Sequence, residues 1–256
     1  MVDESMTIKM HETLIEKPKP FVTYVLIAMC LIVAGIEVYI SSTTPEALQL
    51  VFDQYGFSAQ GFMDGRIHSL VTSIFLHGSI DHLIFNVLAL FFFGRAVEET
   101  MGWKKTLLIF FSAAIAGDLL TLVGANFGVI PMDIPTIGAS AGIFGLMGTA
   151  MIVNPMSMVF YPFLIPIPLI LVAILYTLYN IAAIIELFAL GASTGVAYLA
   201  HMGGLSIGAI FGFREVGVKR GLIILIVMFL LILSIPYLLE YLQIFDYSGI
   251  TMASWV

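Results

Sequence analysis

Seven apolar runs, each close to the length that crosses a lipid bilayer, dominate this 256-residue sequence. A bilayer core of about 30 Å needs about 20 helical residues, and lipid offers no partner for unpaired backbone N–H and C=O groups. The runs therefore predict an all-α fold, a polytopic membrane helical bundle. In chain order they are Phe21–Ile40, Asp81–Glu98, Lys105–Gly124, Ser140–Asn154, Phe163–Ile185, Val196–Phe213 and Gly221–Leu242.

The composition supports the same class, because hydrophobic residues make up 60% of the chain and charged residues only 11%. A soluble domain of this length cannot cover so much apolar surface with polar groups. The formal net charge is −7 and the sequence has no basic face, which argues against a nucleic-acid partner. The partner that this composition predicts is the lipid bilayer.

The distribution of lysine and arginine predicts the orientation in the membrane. Cytoplasmic segments retain these residues, and nine of the ten fall on one predicted side, in the N-terminal tail and in the turns after the second and sixth spans. Only Arg66, in the long first loop, falls on the other side. We therefore expect a multi-pass protein of the cell membrane with a cytoplasmic N-terminus and an extracytoplasmic C-terminus.

A serine and a histidine lie inside two of the apolar runs, where polar side chains often mark functional sites. Ser140 belongs to the GASAG segment Gly138–Gly142, and His201 belongs to the AHMGG segment Ala200–Gly204. Counted from the inner helix ends at 1.5 Å per residue, Ser140 lies at a height of about 22 Å and His201 at about 20 Å. At one depth on neighbouring helices, the imidazole can act as general base toward the hydroxyl.

Small residues predict that the fourth and sixth spans approach each other closely. Stripes of small side chains at every fourth position let membrane helices pack backbone against backbone. The stripes are Gly204, Gly208 and Gly212 on the sixth span and Ala141, Gly145 and Thr149 on the fourth.

A second GxSxG match, Gly191–Gly195, offers a rival serine. Ser193 precedes His201 by only eight residues on nearly the same segment. If that segment is helical, the separation is about 12 Å along the axis, which is too far for proton transfer. We interpret Ser193 as a loop or helix-cap residue.

His82 and Asn86 are four residues apart and therefore share one helix face. An imidazole N–H and a carboxamide NH₂ that face one cavity can stabilise an oxyanion. On this motif alone, an equally good interpretation is that the two side chains tie helices together. Both interpretations stay open.

The remaining ionisable residues do not predict a metal site. His68, His77 and His82 lack a carboxylate or cysteine that would complete a ligand set. Asp118 and Glu186 fall near predicted outer helix ends, where contact with water accounts for them. We predict neither a metal nor an organic cofactor.

Taken in chain order, these motifs resemble the rhomboid family of intramembrane serine proteases. The resemblance covers roughly Ser69 to Phe213, and its strength is the ordered set rather than any one motif. The set is Thr72–His77 (TSIFLH), His82-Leu83 with Asn86, Phe93-Gly94 with Glu98, Gly138–Gly142 with Phe144, and Ala200-His201 with Gly204 and Gly208.

The resemblance implies a Ser140–His201 catalytic dyad with no acidic third member. It implies an oxyanion site formed by His82, Asn86 and the backbone N–H of Ser140. It also implies that Phe144 packs against the ring of His201, and that glycines around the dyad support it. Those glycines are Gly138, Gly142, Gly204 and Gly208. The implied substrates are single-pass or polytopic membrane proteins.

The family core has six helices, which suggests a division of this chain into three parts. Residues 1–20 would form a cytoplasmic tail, residues 21–213 a six-helix rhomboid-like protease core, and residues 214–256 a cytoplasmic turn, a seventh transmembrane helix and an external tail. Two other functions stay open. One is a proton-coupled transporter whose buried histidines relay protons, and the other is a catalytically inactive rhomboid-like protein that binds membrane helices.

Overall fold

The computed structural model describes residues 19–161, 165–190 and 196–241, and its main body is a bundle of α-helices. The helices on the N-terminal side are α1 (Phe21–Thr43), α2 (Pro45–Tyr55), α3 (Ala59–Met63), α4 (Ser69–Thr72), α5 (Ile80–Met101) and α6 (Trp103–Asn126). They are followed by α7 (Ser140–Val153), α8 (Leu169–Leu190), α9 (Val196–Val216) and α10 (Val218–Tyr241). The chain is a multi-pass membrane protein.

A described helix overlaps each of the seven predicted spans, and the helical bundle confirms the predicted fold class. Within the residues described, four helices are long and apolar enough to cross a membrane, namely α1, α5, α6 and the stretch Leu169–Glu186 of α8. Helix α7 is apolar but has only 14 residues. A helix of this length cannot cross the full bilayer core, so the loop before α7 must dip into the protein.

A short β-hairpin precedes α8 and was not predicted from the sequence. Strands β1 (Met158–Tyr161) and β2 (Ile165–Pro168) pair antiparallel, with Met158 opposite Pro168. The predicted start of the fifth span, Phe163, lies outside the described residues, and the next described ones belong to β2. Proline lacks the N–H that a helix interior needs, so the helix begins only after Pro168.

The first loop contains three short helices, α2 to α4, and a 3₁₀ turn at Ser73–Phe75. Backbone hydrogen bonds join this first loop to the loop before α7. Phe57 and Thr136 exchange two of them, at 3.0 and 2.6 Å, and the N–H of Gly138 donates to the carbonyl of Ser73 at 2.8 Å. The chain is thus held in place directly before Ser140.

Helix α7 is the central element of the core, and every residue from Ala141 to Ile152 is buried. It packs against α9 along the predicted small-residue stripes. The hydroxyl of Thr149 donates to the carbonyl of Gly208, on α9, at 2.9 Å. Glycine is required along this contact, because a Cβ on Gly204 would meet the carbonyl oxygen of Ala141 and one on Gly208 would meet that of Gly145.

Glu98, on α5, accepts hydrogen bonds from the first residues of α1. Its buried carboxylate accepts the backbone N–H groups of Val22 and Thr23, both at 2.8 Å, and the hydroxyl of Thr23 at 2.7 Å. The first N–H groups of a helix have no acceptor within the helix. Glu98 therefore serves as a cap for α1 from a different helix.

We expect Glu98→Ala to destabilise the folded protein by about 3 kcal/mol, because it leaves buried donors without an acceptor. The matched control is Glu99→Ala. Glu99 pairs with the half-exposed Arg95 at 2.9 Å, and such pairs contribute less than about 1 kcal/mol. The free energy of unfolding of both variants can be measured by denaturant titration in detergent. Equal stability of the two variants would contradict the assigned role of Glu98.

Candidate active site

The side chains of Ser140 and His201 meet in the structure. Ser140 begins α7 and His201 lies on α9, 61 positions later, with 2.8 Å between Ser140 Oγ and His201 Nε2. The close approach of α7 and α9 at Gly204 and Gly208 makes this distance attainable. Gly138 has a φ of +112°, a conformation that favours glycine, and it turns the chain into α7.

Two further side chains hold the imidazole of His201. The ring of Phe144, one turn after Ser140, stacks on it with 4.2 Å between ring centroids and 7° between planes. Asn180, on α8, places its Oδ1 2.8 Å from His201 Nδ1. The Nδ2 of Asn180 donates to the backbone carbonyl of Tyr198 at 3.0 Å. Phe144 thus fixes the plane of the imidazole, and Asn180 holds Nδ1, the ring nitrogen that does not face Ser140.

Asn180 was missed in the sequence analysis. A signal for it exists, because an asparagine in the middle of an apolar span is a polar residue at membrane depth. The stacking position of Phe144, in contrast, is the one that the family resemblance implied.

His82 and Asn86 face the chain just before Ser140. A Cβ built on Gly138 would lie 2.7 Å from His82 Nε2 and 3.3 Å from Asn86 Nδ2. Asn86 is buried, and within the described residues its Nδ2 has no hydrogen-bond partner. A buried donor without a partner is costly. A group that arrives with the substrate can supply the missing acceptor.

These side chains line one open cavity of about 610 Å³. Ser140, His201, His82 and Asn86 form its polar part. The rest of the lining is mainly aromatic and aliphatic, and it includes Phe85, Phe93, Phe144, Tyr176, Tyr179 and Tyr198. A cavity with few polar groups inside an apolar wall suits a ligand that is itself largely apolar.

The other histidines lie outside this arrangement or at its edge. His68 is in the first loop, where its Nε2 lies 3.1 Å from the carbonyl oxygen of Gln54. His77 is buried just before α5, its ring 5.2 Å from that of His82. Burial lowers the pKa of His77 to about 4, so its ring is neutral at physiological pH. Among the residues described, no group of three or more histidine, cysteine or acidic residues is placed to hold a metal.

The two acidic residues assigned to helix ends behave differently. Glu186 is exposed, as expected. Asp118 is only 6% exposed and lines a small cavity beside Ser140, together with Ser73 and Thr136. The prediction of water contact at a helix end is therefore wrong for Asp118. Helix α6 turns the carboxyl of Asp118 toward the interior of the bundle rather than toward its surface.

Comparison with known proteins identifies the family. The sequence profile of the rhomboid domain matches residues 64–218, more than half of the chain. The chain belongs to the rhomboid family. The matched stretch of this rhomboid contains every side chain of the candidate site, from His82 to His201.

Several curated relatives of this rhomboid are similar over part of their length. RHOMBOID-like protein 12, mitochondrial, of Arabidopsis thaliana is 26% identical over 63% of this chain and 50% of its own length. Rhomboid protease AarA of Providencia stuartii is 31% identical over 59% and 56%, and rhomboid protease GluP of Bacillus subtilis is 33% identical over 57% and 27%. The chain thus spans less than two thirds of the length of each.

Proposed function

We propose that this rhomboid is an intramembrane serine endopeptidase that hydrolyses peptide bonds in or near transmembrane segments of other membrane proteins. The observation that carries the proposal is the 2.8 Å contact between Ser140 Oγ and His201 Nε2 at the edge of a largely apolar cavity. A serine hydroxyl is a weak nucleophile until an adjacent base accepts its proton. Family membership supports the same activity, since relatives such as AarA and GluP are named rhomboid proteases.

In the proposed reaction, Ser140 Oγ attacks the carbonyl carbon of the scissile peptide and its proton passes to His201 Nε2. The tetrahedral intermediate then collapses: the C–N bond breaks, and His201 returns the proton to the leaving amine. Water, with His201 again as base, hydrolyses the acyl ester and frees Ser140. Phe144 keeps the imidazole plane fixed during both transfers. These steps require neither a metal nor an organic cofactor.

We assign the oxyanion of the intermediate to three donors: His82 Nε2, Asn86 Nδ2 and the backbone N–H of Ser140. The N–H of the first residue of a helix has no acceptor within that helix, and Ser140 is the first residue of α7. His82 and Asn86 converge on Gly138, two residues before Ser140. Donors that are fixed before the reaction stabilise the developing charge without reorganisation.

We expect His82→Ala and Asn86→Ala each to lower kcat by about 100-fold, which corresponds to about 3 kcal/mol of lost transition-state stabilisation. KM should change much less, because these contacts strengthen only in the transition state. His68→Ala is the control histidine, outside the cavity. Turnover of a transmembrane substrate in vesicles measures the variants. Unchanged kcat in both single variants and the double variant would contradict the assignment, and loss of folding would favour the role of tying helices together.

The substrate class follows from the membrane setting. A peptide carbonyl inside a transmembrane helix is hydrogen-bonded within that helix, so the helix must unwind locally before Ser140 can attack. Small or helix-destabilising residues near the scissile bond should therefore favour cleavage. Single-pass and polytopic membrane proteins both contain such helices.

For location we propose the cell membrane, with the N-terminus in the cytoplasm. The support is the nine-to-one distribution of lysine and arginine across the predicted sides. A reporter fused after Val256 should then signal an extracytoplasmic position. A cytoplasmic signal from a folded fusion would mean that the orientation is reversed or that the number of spans is wrong by one.

The decisive test of the function is covalent labelling of the intact protein in detergent by a fluorophosphonate, which reacts with activated serines. A serine protease should take up one adduct at Ser140. A proton-coupled transporter or a catalytically inactive membrane-helix binder should take up none. Absence of labelling in folded protein would return these two alternatives to first place.

A further inference from the structure

Asn180 is a buried amide in the middle of an apolar helix. It lies on α8 and is 1% exposed. An amide removed from water needs hydrogen bonds to offset the loss of hydration. The structure supplies partners at both ends of the amide, the carbonyl of Tyr198 and the ring of His201.

The two partners determine which way the amide points. A backbone carbonyl can only accept a hydrogen bond, so the group that faces Tyr198 O at 3.0 Å must be the NH₂ of Asn180. The amide oxygen is then the atom that lies 2.8 Å from His201 Nδ1. The reverse orientation would set two oxygens against each other at Tyr198.

The amide orientation in turn determines the tautomer of the imidazole. An amide oxygen carries no hydrogen, so a hydrogen bond to it requires the proton to be on His201 Nδ1. In a neutral ring, Nε2 is then the unprotonated nitrogen. Nε2 is the atom that lies 2.8 Å from Ser140 Oγ, so its lone pair faces the hydroxyl hydrogen. The opposite tautomer would place an N–H against Ser140 and could not take its proton.

We propose that Asn180 is a positioning residue that holds His201 in the tautomer able to accept a proton from Ser140. The side chains then form a series, Ser140–His201–Asn180, across helices α7, α9 and α8. The consequence for catalysis rests on the proposed function, whereas the tautomer itself does not. When His201 receives the proton of Ser140, the Nδ1–H bond to Asn180 persists, so the ring does not have to reorient during the reaction.

Phe144 and Asn180 have complementary effects on the ring. Stacking at 4.2 Å fixes the plane of the imidazole, but a stacked ring has no preference for the nitrogen that carries the proton. The hydrogen bond to Asn180 selects that nitrogen. Where a serine protease triad has an aspartate behind the histidine, this chain has a neutral amide, held in its orientation by the backbone of Tyr198.

The direct test is ¹⁵N NMR of histidine-labelled protein, because the shifts of the two ring nitrogens report the tautomer. The chain has five histidines, and the His201→Gln variant identifies the signals of His201. We expect the Nδ1–H form of His201 in the wild type and a shift toward the Nε2–H form in Asn180→Leu, a variant of similar size without an acceptor. An Nε2–H signal for His201 in the wild type would overturn the proposal, whatever the variants do.

Two variants separate positioning from helix stability. Asn180→Asp gives up the donor to the Tyr198 carbonyl but keeps an acceptor for Nδ1–H, so it should keep the wild-type tautomer. Thr177→Val removes the hydroxyl of Thr177, which bonds the carbonyl of Ala173 within the same helix, and should leave His201 unchanged. Removing the second hydrogen-bond partner of a metal-bound histidine typically costs about 10-fold to 100-fold. By analogy with that case, we expect Asn180→Leu to slow fluorophosphonate labelling by about the same factor. Fluorophosphonate should label the Asn180→Asp variant faster than the Asn180→Leu variant.

The outcomes keep this proposal distinct from the proposed function. A wild type that shows the Nδ1–H form but takes up no fluorophosphonate would contradict the protease and support the role of Asn180 in the ring's tautomer. A folded Asn180→Leu protein that labels at the wild-type rate, with wild-type His201 shifts, would overturn the role of Asn180 and leave the protease intact.

Discussion

Ser140→Ala is expected to abolish both fluorophosphonate labelling and cleavage of a transmembrane substrate, a loss of at least about a thousandfold. The reason is geometric. Ser140 Oγ lies 2.8 Å from His201 Nε2, so its proton can pass directly to that ring. His201→Ala should be inactive as well. The double variant should be no worse than either single one, because nucleophile and base act as a unit.

Ser193→Ala is the matched control, since Ser193 stands in the second GxSxG match of the chain. Residues 191–195 lie outside the described part of the structure, so the assignment of Ser193 remains a sequence-based prediction. We expect this variant to retain labelling and cleavage. Full activity in a folded Ser140→Ala protein, measured side by side with Ser193→Ala, would end the serine-protease interpretation.

The second large effect is expected from one added methyl group at the contact between α7 and α9. Gly204→Ala places its Cβ against the carbonyl oxygen of Ala141. A backbone carbonyl inside a packed helix cannot move aside, so the two helices must separate. We expect a cost of about 3 kcal/mol or more, at the upper end of overpacking penalties. Activity should also fall, because the separation pulls His201 away from Ser140.

Gly35→Ala is the control for this change. Gly35 lies on α1, and a Cβ there has no neighbour within 4 Å. Alanine favours helix over glycine by up to about 1 kcal/mol, so Gly35→Ala should be neutral or slightly stabilising. Thermal unfolding in detergent compares the two variants with wild type. If Gly204→Ala unfolded at the temperature of Gly35→Ala, the close contact between α7 and α9 would be refuted.

The sequence predicted the helical framework well because transmembrane helices depend on length and hydropathy, which can be read locally. Depth could be counted along each helix, and this correctly suggested that Ser140 and His201 lie at one level. The sequence does not predict which helices pack side by side or which face each helix turns to its neighbour. The contact between Asn180 and His201 depends on how α8 rotates against α9, and no property of the α8 sequence alone specifies that rotation.

The errors have equally physical causes. Hydropathy could not separate β2 from the start of α8, because both are apolar, although Pro166 and Pro168 carried the signal. The small helices of the first loop are too short to span a bilayer, so hydropathy does not predict them. Asp118 was misplaced because counting residues gives height along a helix but not whether the side chain faces the bundle or its surface.

The cap on α1 has a consequence for the order in which this protein assembles. Glu98 follows Val22 by 76 positions, so the first helix enters the membrane well before its carboxylate partner exists in the bilayer. Membrane helices insert first and associate afterwards. Until α5 has been synthesised and inserted, we expect α1 to be an independent span whose first N–H groups bond to water or lipid headgroups. We therefore expect α1 to dock after insertion, once the carboxylate of Glu98 is available to accept its N–H groups.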